Sequence, residues 1–531
     1  MENSCRYIPY GKTGYFSKIT IDYLSQSEQL QQFYKHPATL NGVKDAIKAR
    51  QAFNTDRNLL VTELRKQYKS LDLTTKQEQN LQLLASNNTF TLTTAHQPNI
   101  FTGPLYFIYK ILHVIKLADE LTGELPDYKF VPVYYMGSED ADLDELGYIN
   151  LNGQKLVWQT KQTGAVGRMK VDKELVKLID NIHGQIGVDA FGNELTELLK
   201  RCYSLGKTIQ QATLEMVNAL FADFGLLVVI PDNAALKASF NSVIEKELIE
   251  QFSHNAVEET IKQLSEHYKV QAGGRELNLF YLFEDKRERI ELNAGLYTVE
   301  LLKLSFTQDE IVKELKEHPE RFSANVILRG VFQETILPNI LFVGGGGELA
   351  YWLELKKVFE AAGVPYPILL LRNSFLLTDR EAENKIKKLG FSLENFFADT
   401  QSLLNTLVKK SSDKQLSLQE ELKQADEFYH GIKCTASKID ATLAQHVEAL
   451  QAKAVKRLVE LEKKMLRAEK RNFESEKRHI QMLKDVLFPN NNLQERVENF
   501  SSYYAKEGKE WLNTIYNASK GLEQEFGIIT A

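Results

Sequence analysis

At 531 residues with 43% apolar side chains, the chain exceeds a single hydrophobic core and has enough apolar mass to bury two or three. A formal net charge of −6 gives no field that attracts nucleic acid, and no run approaches the roughly 18 apolar residues of a membrane span, so nucleic-acid and membrane roles are disfavoured. The start MENSCRYIPYGKTGYFSK lacks an apolar signal core, and Cys5, Cys202 and Cys434 make neither a disulfide nor a zinc pattern, which points to a reducing, cytoplasmic setting.

Residues 1–88 read as a mostly polar helical lead-in packed on the core, with Ile47, Phe53, Leu59, Leu60 and Leu64 as scattered apolar positions. The stretch TTAHQPNIFTGPLYFIYKILHVIKLADEL (93–121) is the one around which the rest of the chain is organised. A β-prone run, 89–94, turns through Pro98 and Gly103-Pro104 into a strongly apolar helix, and Pro104 suits a first helical turn, where its missing N–H costs nothing. A strand feeding a helix in this way leaves backbone N–H groups free at the turn, which suits an anion. His96, Gln97, Asn99 and Thr102 stand at that mouth. A histidine bonded to its own turn is the plainer reading; four polar side chains at one strand end weigh towards a site.

A second β run, 129–136, ends in Gly137-Ser138-Glu139-Asp140-Ala141-Asp142. Strand, helix and strand at this spacing make a βαβ unit with a parallel pair and a right-handed crossover. Glu139 and Asp140 then share an edge with His96 and Gln97, and ligands of open α/β sheets bind outside the carboxyl ends of strands. Alone, the acid run reads as a solvated loop that caps the next helix.

Short strands and polar helices from Tyr148 onwards form a first insertion, about 148–225, before an apolar strand at 226–230 returns to the core and ends in Pro231-Asp232-Asn233. Two further β runs, 279–283 and 296–304, flank the charged stretch EDKRERIEL and predict an antiparallel hairpin in a second insertion, about 275–305. The strand 340–343 then runs into Gly344, Gly345, Gly346 and Gly347 and a helix carrying Glu348, Tyr351, Trp352 and Glu354. Glycines let backbone N–H groups approach a phosphate or carboxylate, although this run is neither a GxGxxG fingerprint nor a GKS/T loop and is equally a tight turn. A β return at 367–371 places Arg372 at its end, and Arg329, with Gln333, is a second candidate clamp for a carboxylate.

Beyond Ser374 the composition shifts to Lys, Glu, Gln and Leu. Val447, Leu450, Ala454, Leu458, Leu461, Met465 and Ala468 recur in steps of three and four, the pattern of a coiled-coil seam. An earlier helix, about 416–438, makes this an antiparallel hairpin whose second helix, running to Leu487, would have roughly 45 residues and extend about 70 Å. An arm that long buries little by itself and suits packing on a partner or on a second copy of the chain. Arg467 and Lys470 make its far end basic. The architecture expected is a Rossmann-like, doubly wound parallel α/β core with insertions (1–375), a helical region with the arm (376–487), and a C-terminal return to the core (488–531).

The motifs AHQPNIFTGPLYFIYKI (95–111), VPVYYMGSEDADLDE (131–145), VGRM (166–169), NVILRGVFQETILP (325–338), GGGGELAYWLELK (344–356), EKKMLRAEKR (462–471) and LFPNNNLQER (487–496) stand in one order along nearly the whole length. In them the chain resembles the bacillithiol-biosynthesis cysteine-adding enzymes, the cysteine ligase (BshC) family. The resemblance implies a nucleotide-binding-like core with connecting insertions, a coiled-coil arm used for homodimerisation, and ligation of L-cysteine to glucosaminyl malate. Two positions depart from the expected pattern: Ala141 stands where a histidine is expected, and Gly330 where a proline is expected. No histidine role is therefore assigned at the acid loop.

Joining a carboxylate to an amine requires activating the acid, commonly as an adenylate or acyl phosphate, so ATP or another adenine nucleotide with Mg is the expected cofactor. His96, with Thr102 and Lys110, is placed to stabilise the developing charge. Gly344–Gly347, with Arg467 and Lys470, are the nucleotide-binding candidates. Gln97, Asn99, Glu139, Asp140, Arg329, Gln333, Glu348, Tyr351, Trp352 and Arg372 are the substrate-binding set, with the acids for the cysteine ammonium and Arg329 or Arg372 for the malyl carboxylates. No zinc is expected, because no cysteine or histidine cluster has ligand spacing. Another ATP-dependent amide-forming ligase or nucleotidyl transferase, and a non-enzymatic metabolite-binding dimeric scaffold, remain open on the same residues.

Overall fold

The computed structural model describes residues 4–530. Its centre is the strand β1 (Thr89–His96), three of whose four buried threonines find hydroxyl partners: Thr91 and Thr93 bond the Asn339 side chain at 3.2 and 2.8 Å, and Thr94 donates to the Val343 carbonyl at 2.8 Å. The helix α1 (Tyr106–Glu124) crosses back to β2 (Lys129–Met136), which pairs with β1 in parallel over all eight positions. β3 (Leu227–Val229) extends the sheet beyond β2. After the helix α2 (Val326–Ile336), β4 (Asn339–Gly344) pairs with the other side of β1; the short helix α3 (Gly346–Trp352) and a second short helix (Lys356–Ala362) then lead to β5 (Ile368–Leu371).

The sheet order is β5-β4-β1-β2-β3, all parallel, so the direction of winding reverses between β1 and β4. Ligands of open α/β sheets lie at that reversal, outside the carboxyl ends of the strands. His96 ends β1 and Gly344 ends β4. Beneath them Leu92, Val114, Leu117, Leu341, Val343 and Ile368 form a fully buried core. Among the described residues, 4–376 and 493–529 form one unit, and 377–492 with 530 a second.

Several local expectations need correction. Helix α1 begins at Tyr106, so Pro104 precedes its first turn; a 3₁₀ turn (Ile100–Thr102) intervenes, with Phe101 and Thr102 at φ of 50° and 70°. In the second insertion the charged stretch is itself a strand: Lys286–Arg289 pairs with Leu279–Phe283. The run expected at 296–304 breaks at a 3₁₀ turn, Glu300–Leu302, with Lys303 at φ 53°, and its two pieces pair with one another. The C-terminal return ends in a strand, Phe526–Thr530, lying between Ser4–Ile8 and Ser374–Thr378.

In the second unit, α4 (Gln419–Ser437) and α5 (Leu443–Glu469) make the hairpin, but the long second helix is not continuous. A 3₁₀ segment, Lys470–Phe473, separates α5 from α6 (Glu474–Leu487), so α5 spans 27 residues, about 40 Å at 1.5 Å of rise each. No side chain of α4 is buried, and Leu450 and Leu461, read as seam positions, stand 42% and 47% exposed while Val447 is buried.

Candidate functional site

The loop after β1 is held from several directions. The Gly137 N–H and the Tyr134 hydroxyl donate to the His96 carbonyl at 2.8 and 3.0 Å. Asn499, from the C-terminal tail, donates its amide to the carbonyls of Phe101 and Gly103 at 3.0 and 2.6 Å, and the Tyr203 hydroxyl accepts from the Phe101 N–H at 2.9 Å. Two successive non-glycine residues at positive φ cost of order 1–3 kcal/mol each and persist only where their surroundings over-determine them; these bonds supply that constraint.

The His96 ring lies between Tyr106 and Phe107, with centroids at 5.3 and 5.7 Å. Burial, then the Lys110, Arg329 and Arg372 charges, hold its pKa well below the usual histidine range, so the imidazole is neutral. Its Nε2 is buried without a hydrogen-bond partner, as are the Thr102 hydroxyl, the Asn99 side-chain oxygen and the Arg372 Nε. A ligand that supplies their bonds recovers the cost of leaving buried polar atoms unpaired.

Around the imidazole the cations are anchored. Lys110, on α1 and 2% exposed, pairs with Glu348 and donates to the Ala95 carbonyl at 3.0 Å. Glu348 also accepts the Gly345 N–H at 2.8 Å. Arg372 pairs with the fully buried Glu495 at 2.7 Å, donates to Ser374 at 3.0 Å, and lies 5.2 Å over the Tyr106 ring. None of Gly344–Gly347 has positive φ; a Cβ on Gly345 would stand 3.4 Å from Glu348 and 3.7 Å from the Arg372 Nε, whereas one on Gly347 would meet nothing. The glycine run thus opens space at Gly345 without being needed for backbone conformation there.

The acid loop joins the same edge. Gln97 donates to Asp140 at 3.0 Å, and Arg329 faces that carboxylate at 3.7 Å with Tyr351 as its other neighbour. Arg329 and the Ala141 N–H help hold the Asp140 carboxyl below the usual range against the opposing effect of burial. Glu139 is bound differently: Lys237, 2% exposed, pairs with it and also stands 3.5 Å from Asp232, while Ser323 donates to it at 3.1 Å. Arg168 grips Asp232 through two bonds of 2.7 Å. The Glu139 carboxylate is therefore already neutralised, and Asp140 is the freer of the two acids.

The structure brings His96, Gln97, Lys110, Asp140, Arg329, Glu348, Tyr351 and Arg372 to the strand ends. It places two of the substrate-binding candidates elsewhere. Trp352 is buried and stacked against Phe342 (4.4 Å) and Phe359 (5.5 Å), where it is core. Gln333 donates to the buried Glu334, which pairs with Arg50 inside the fold. The glycine at 330 follows from the same packing, since a Cβ there would meet the Trp352 ring at 2.9 Å. Arg467 lies in the last turn of α5, and Lys470 opens the 3₁₀ segment after it, in the second unit. Sequence reasoning missed Tyr106, Arg168, Lys237 and Glu495 as site residues, although Arg168 and Glu495 lie within the VGRM and LFPNNNLQER motifs.

A parallel sheet wound 3-2-1-4-5, a polar cradle at its reversal point and a separate helical hairpin define a Rossmann-like enzyme core carrying a coiled-coil domain. Residues 3–373 match the family model "Bacillithiol biosynthesis BshC, N-terminal Rossmann-like domain", and residues 375–531 match "Bacillithiol biosynthesis BshC, C-terminal coiled-coil domain". Three curated relatives carry the name "Putative cysteine ligase BshC". That of Flavobacterium johnsoniae is 40% identical over 98% of this chain and 99% of its own length. Those of Christiangramia forsetii and Flavobacterium psychrophilum are each 38% identical, over 100% and 98% of this chain and 99% and 98% of their own. The chain belongs to the BshC family of bacillithiol biosynthesis and is a ligase of the amide-forming class.

Proposed function

We propose that the chain joins the carboxyl of L-cysteine to the amine of glucosaminyl malate, in the cytoplasm, at the carboxyl edge of β1 and β4. The observation that carries this reading is the pair of buried, unpartnered groups at that edge, His96 Nε2 and Arg372 Nε, standing beside the anchored Lys110 charge. Such a cradle suits an anion more than a neutral metabolite.

The same donors fit the phosphates of a magnesium–adenine nucleotide, with Lys110 and the Arg372 Nε as the contacts and the missing Cβ of Gly345 as the space between them. Bound there, the nucleotide supplies activation of the carboxylate. The chain's own residues do the rest. Neutral His96 holds or passes a proton at Nε2 as charge develops beside it. Asp140 takes the cysteine ammonium, and Arg329, which Asp140 approaches no closer than 3.7 Å, takes a malyl carboxylate. Arg372, already bonded to Glu495 and Ser374, contributes only its Nε.

Dimerisation through the arm completes the reading. Phe428 and Ile432 on α4 and Leu450 and Leu461 on α5 stand 63%, 37%, 42% and 47% exposed, an apolar surface that a second copy covers. Incubating the purified chain with L-cysteine, glucosaminyl malate and magnesium–ATP, with mass detection of the amide, tests the reaction. Product that needs all three components supports it; product from another acid and amine in their place contradicts the substrate assignment.

A further inference from the structure

The acid loop is held in place by a segment of the first insertion, residues 165–169, which contains the 3₁₀ turn Val166–Arg168. The Val166 N–H donates to the Asp140 carbonyl at 2.8 Å and the Gly167 N–H to the Ser138 carbonyl at 2.9 Å, so the backbone is gripped on both sides of Glu139. A Cβ on Gly167 would stand 2.4 Å from the Ser138 carbonyl oxygen, so this approach requires glycine. The strap is itself fixed. Ala165, Val166 and Met169 are buried, and the Met169 carbonyl accepts the Ile209 N–H at 2.8 Å.

The Arg168 side chain reaches the same loop by a longer route. It holds both carboxylate oxygens of the buried Asp232 in a fork. Lys237, also buried, stands between Asp232 and Glu139 and donates to the Glu320 carbonyl at 2.9 Å. Arg168, Asp232, Lys237 and Glu139 thus alternate in sign and sum to zero charge. A buried ion that loses its partner is strongly disfavoured. Without Arg168, Lys237 is the remaining cation for Asp232 and can no longer serve Glu139 to the same extent. Glu139 regains solvation by moving the loop, and Asp140 is the next residue along it.

We infer that the 165–169 strap positions Asp140 for the cysteine ammonium, with Arg168 as a positioning residue that acts through Asp232, Lys237 and Glu139. The Asp140 carboxylate bonds the Ala141 N–H of its own loop at 2.8 Å; from outside the loop it meets only Gln97 at 3.0 Å and Arg329 at 3.7 Å. The loop backbone therefore decides where this carboxylate stands. Recognition of an ammonium needs hydrogen-bond reach, and a misplacement of about 1 Å is enough to lose it. The first insertion thereby takes part in recognising the donor amino acid. This role rests on the proposed placing of the cysteine ammonium at Asp140.

Titration calorimetry of the full chain with L-cysteine and with 3-mercaptopropionate, which lacks the amine, isolates the ammonium contact. Wild-type protein is expected to bind L-cysteine about tenfold more tightly, the size of one charge-assisted bond. Asp140→Asn and Arg168→Gln should each remove most of that preference. The double variant should bind L-cysteine no more weakly than Asp140→Asn alone, because both changes remove the same contact. Arg168→Lys, which keeps the charge and loses the fork, should restore part of the preference. Asp232→Asn keeps the shape of the fork without its charge and gives the same readout should Arg168→Gln not fold. A brace that only stabilises the fold would lower the melting temperature and leave the preference alone. An Arg168→Gln variant with the wild-type preference, or losses that add in the double variant, overturns the positioning role and leaves Asp140 as the ammonium contact. A preference that Asp140→Asn does not change removes that contact and the positioning role with it. Wild-type protein that shows the coupled preference but forms no amide with glucosaminyl malate and magnesium–ATP contradicts the ligation reading and leaves the role of the strap standing.

Discussion

The strand-end site and the helical arm treat polar and apolar groups in opposite ways. At the site, Lys110, Lys237, Arg372 and Glu495 are buried to 3% exposure or less, and each is held by an oppositely charged partner. On the arm, α4 buries no side chain, and Phe428 is left 63% exposed. Burying charge is justified where a reaction needs fixed dipoles in a site shielded from water; exposing aromatic and aliphatic groups is justified where another surface covers them. The first arrangement puts stability at risk when a single partner is lost, and the second leaves stability nearly indifferent to sequence.

The largest effect expected from this contrast comes from removing one member of a buried pair. Arg372→Met leaves Glu495 fully buried and uncompensated, and thermal or denaturant unfolding should report a loss of about 3–5 kcal/mol. A loss below about 1 kcal/mol would mean that water reaches Glu495.

Acid should act on the same unit through His113, which is fully buried with its Nδ1 accepting the Asn373 N–H at 3.0 Å and its Nε2 bonded to the Gly521 carbonyl at 2.8 Å. Burial lowers its pKa to about 4 from 6.5. Between those values the unfolded chain binds the proton and the folded chain does not, so the contribution is fully present above pH 6.5 and falls as pH drops towards 4. The loss approaches roughly 3 kcal/mol. Denaturant midpoints from pH 7 to 4 should show this decline, and His113→Gln should flatten it.

Glycine substitutions make a finer distinction within the site. Gly345→Ala places a methyl beside Glu348 and the Arg372 Nε and should lower product formation about tenfold, roughly 1.4 kcal/mol in the barrier, with little change in melting temperature. Gly347→Ala, pointing into open space, should change neither. Equal losses of activity and melting temperature at Gly345 would make the run a structural turn.

The smallest stability effect belongs to the arm. Leu450→Lys with Leu461→Lys alters exposed positions and should move stability by less than about 0.5 kcal/mol, yet halve the mass in light scattering. A dimer unaffected by both changes would place the second copy elsewhere.

The features legible in the sequence are those set by local pattern. The β1–α1–β2 unit, the glycine-ended β4 and the helical hairpin of the arm, though not the face its second helix buries, announce themselves through periodicity within one or two elements. Less legible were features set by distant partners. The left-handed Phe101 and Thr102 break the usual rule that such positions take glycine, and it is Asn499, nearly 400 residues on, whose amide bonds fix that loop. The pairing of Glu139 with Lys237 joins residues from two elements separated by the first insertion. Trp352 looked accessible on a short helix beside the glycines because nothing local shows that Phe342 and Phe359 enclose its ring. The break at Lys470–Phe473 falls in a basic, helix-compatible stretch with neither glycine nor proline to mark it.

The most direct test of the account concerns His96, the neutral, unpartnered base at the reversal of the sheet. In a bacillithiol-producing strain lacking its own family member, the wild-type chain or a His96→Ala variant is expressed at matched protein levels, and thiols are quantified after fluorescent labelling. The account predicts that the wild-type chain restores bacillithiol and that His96→Ala lowers it at least a hundredfold while glucosaminyl malate accumulates. Full restoration by His96→Ala would contradict it.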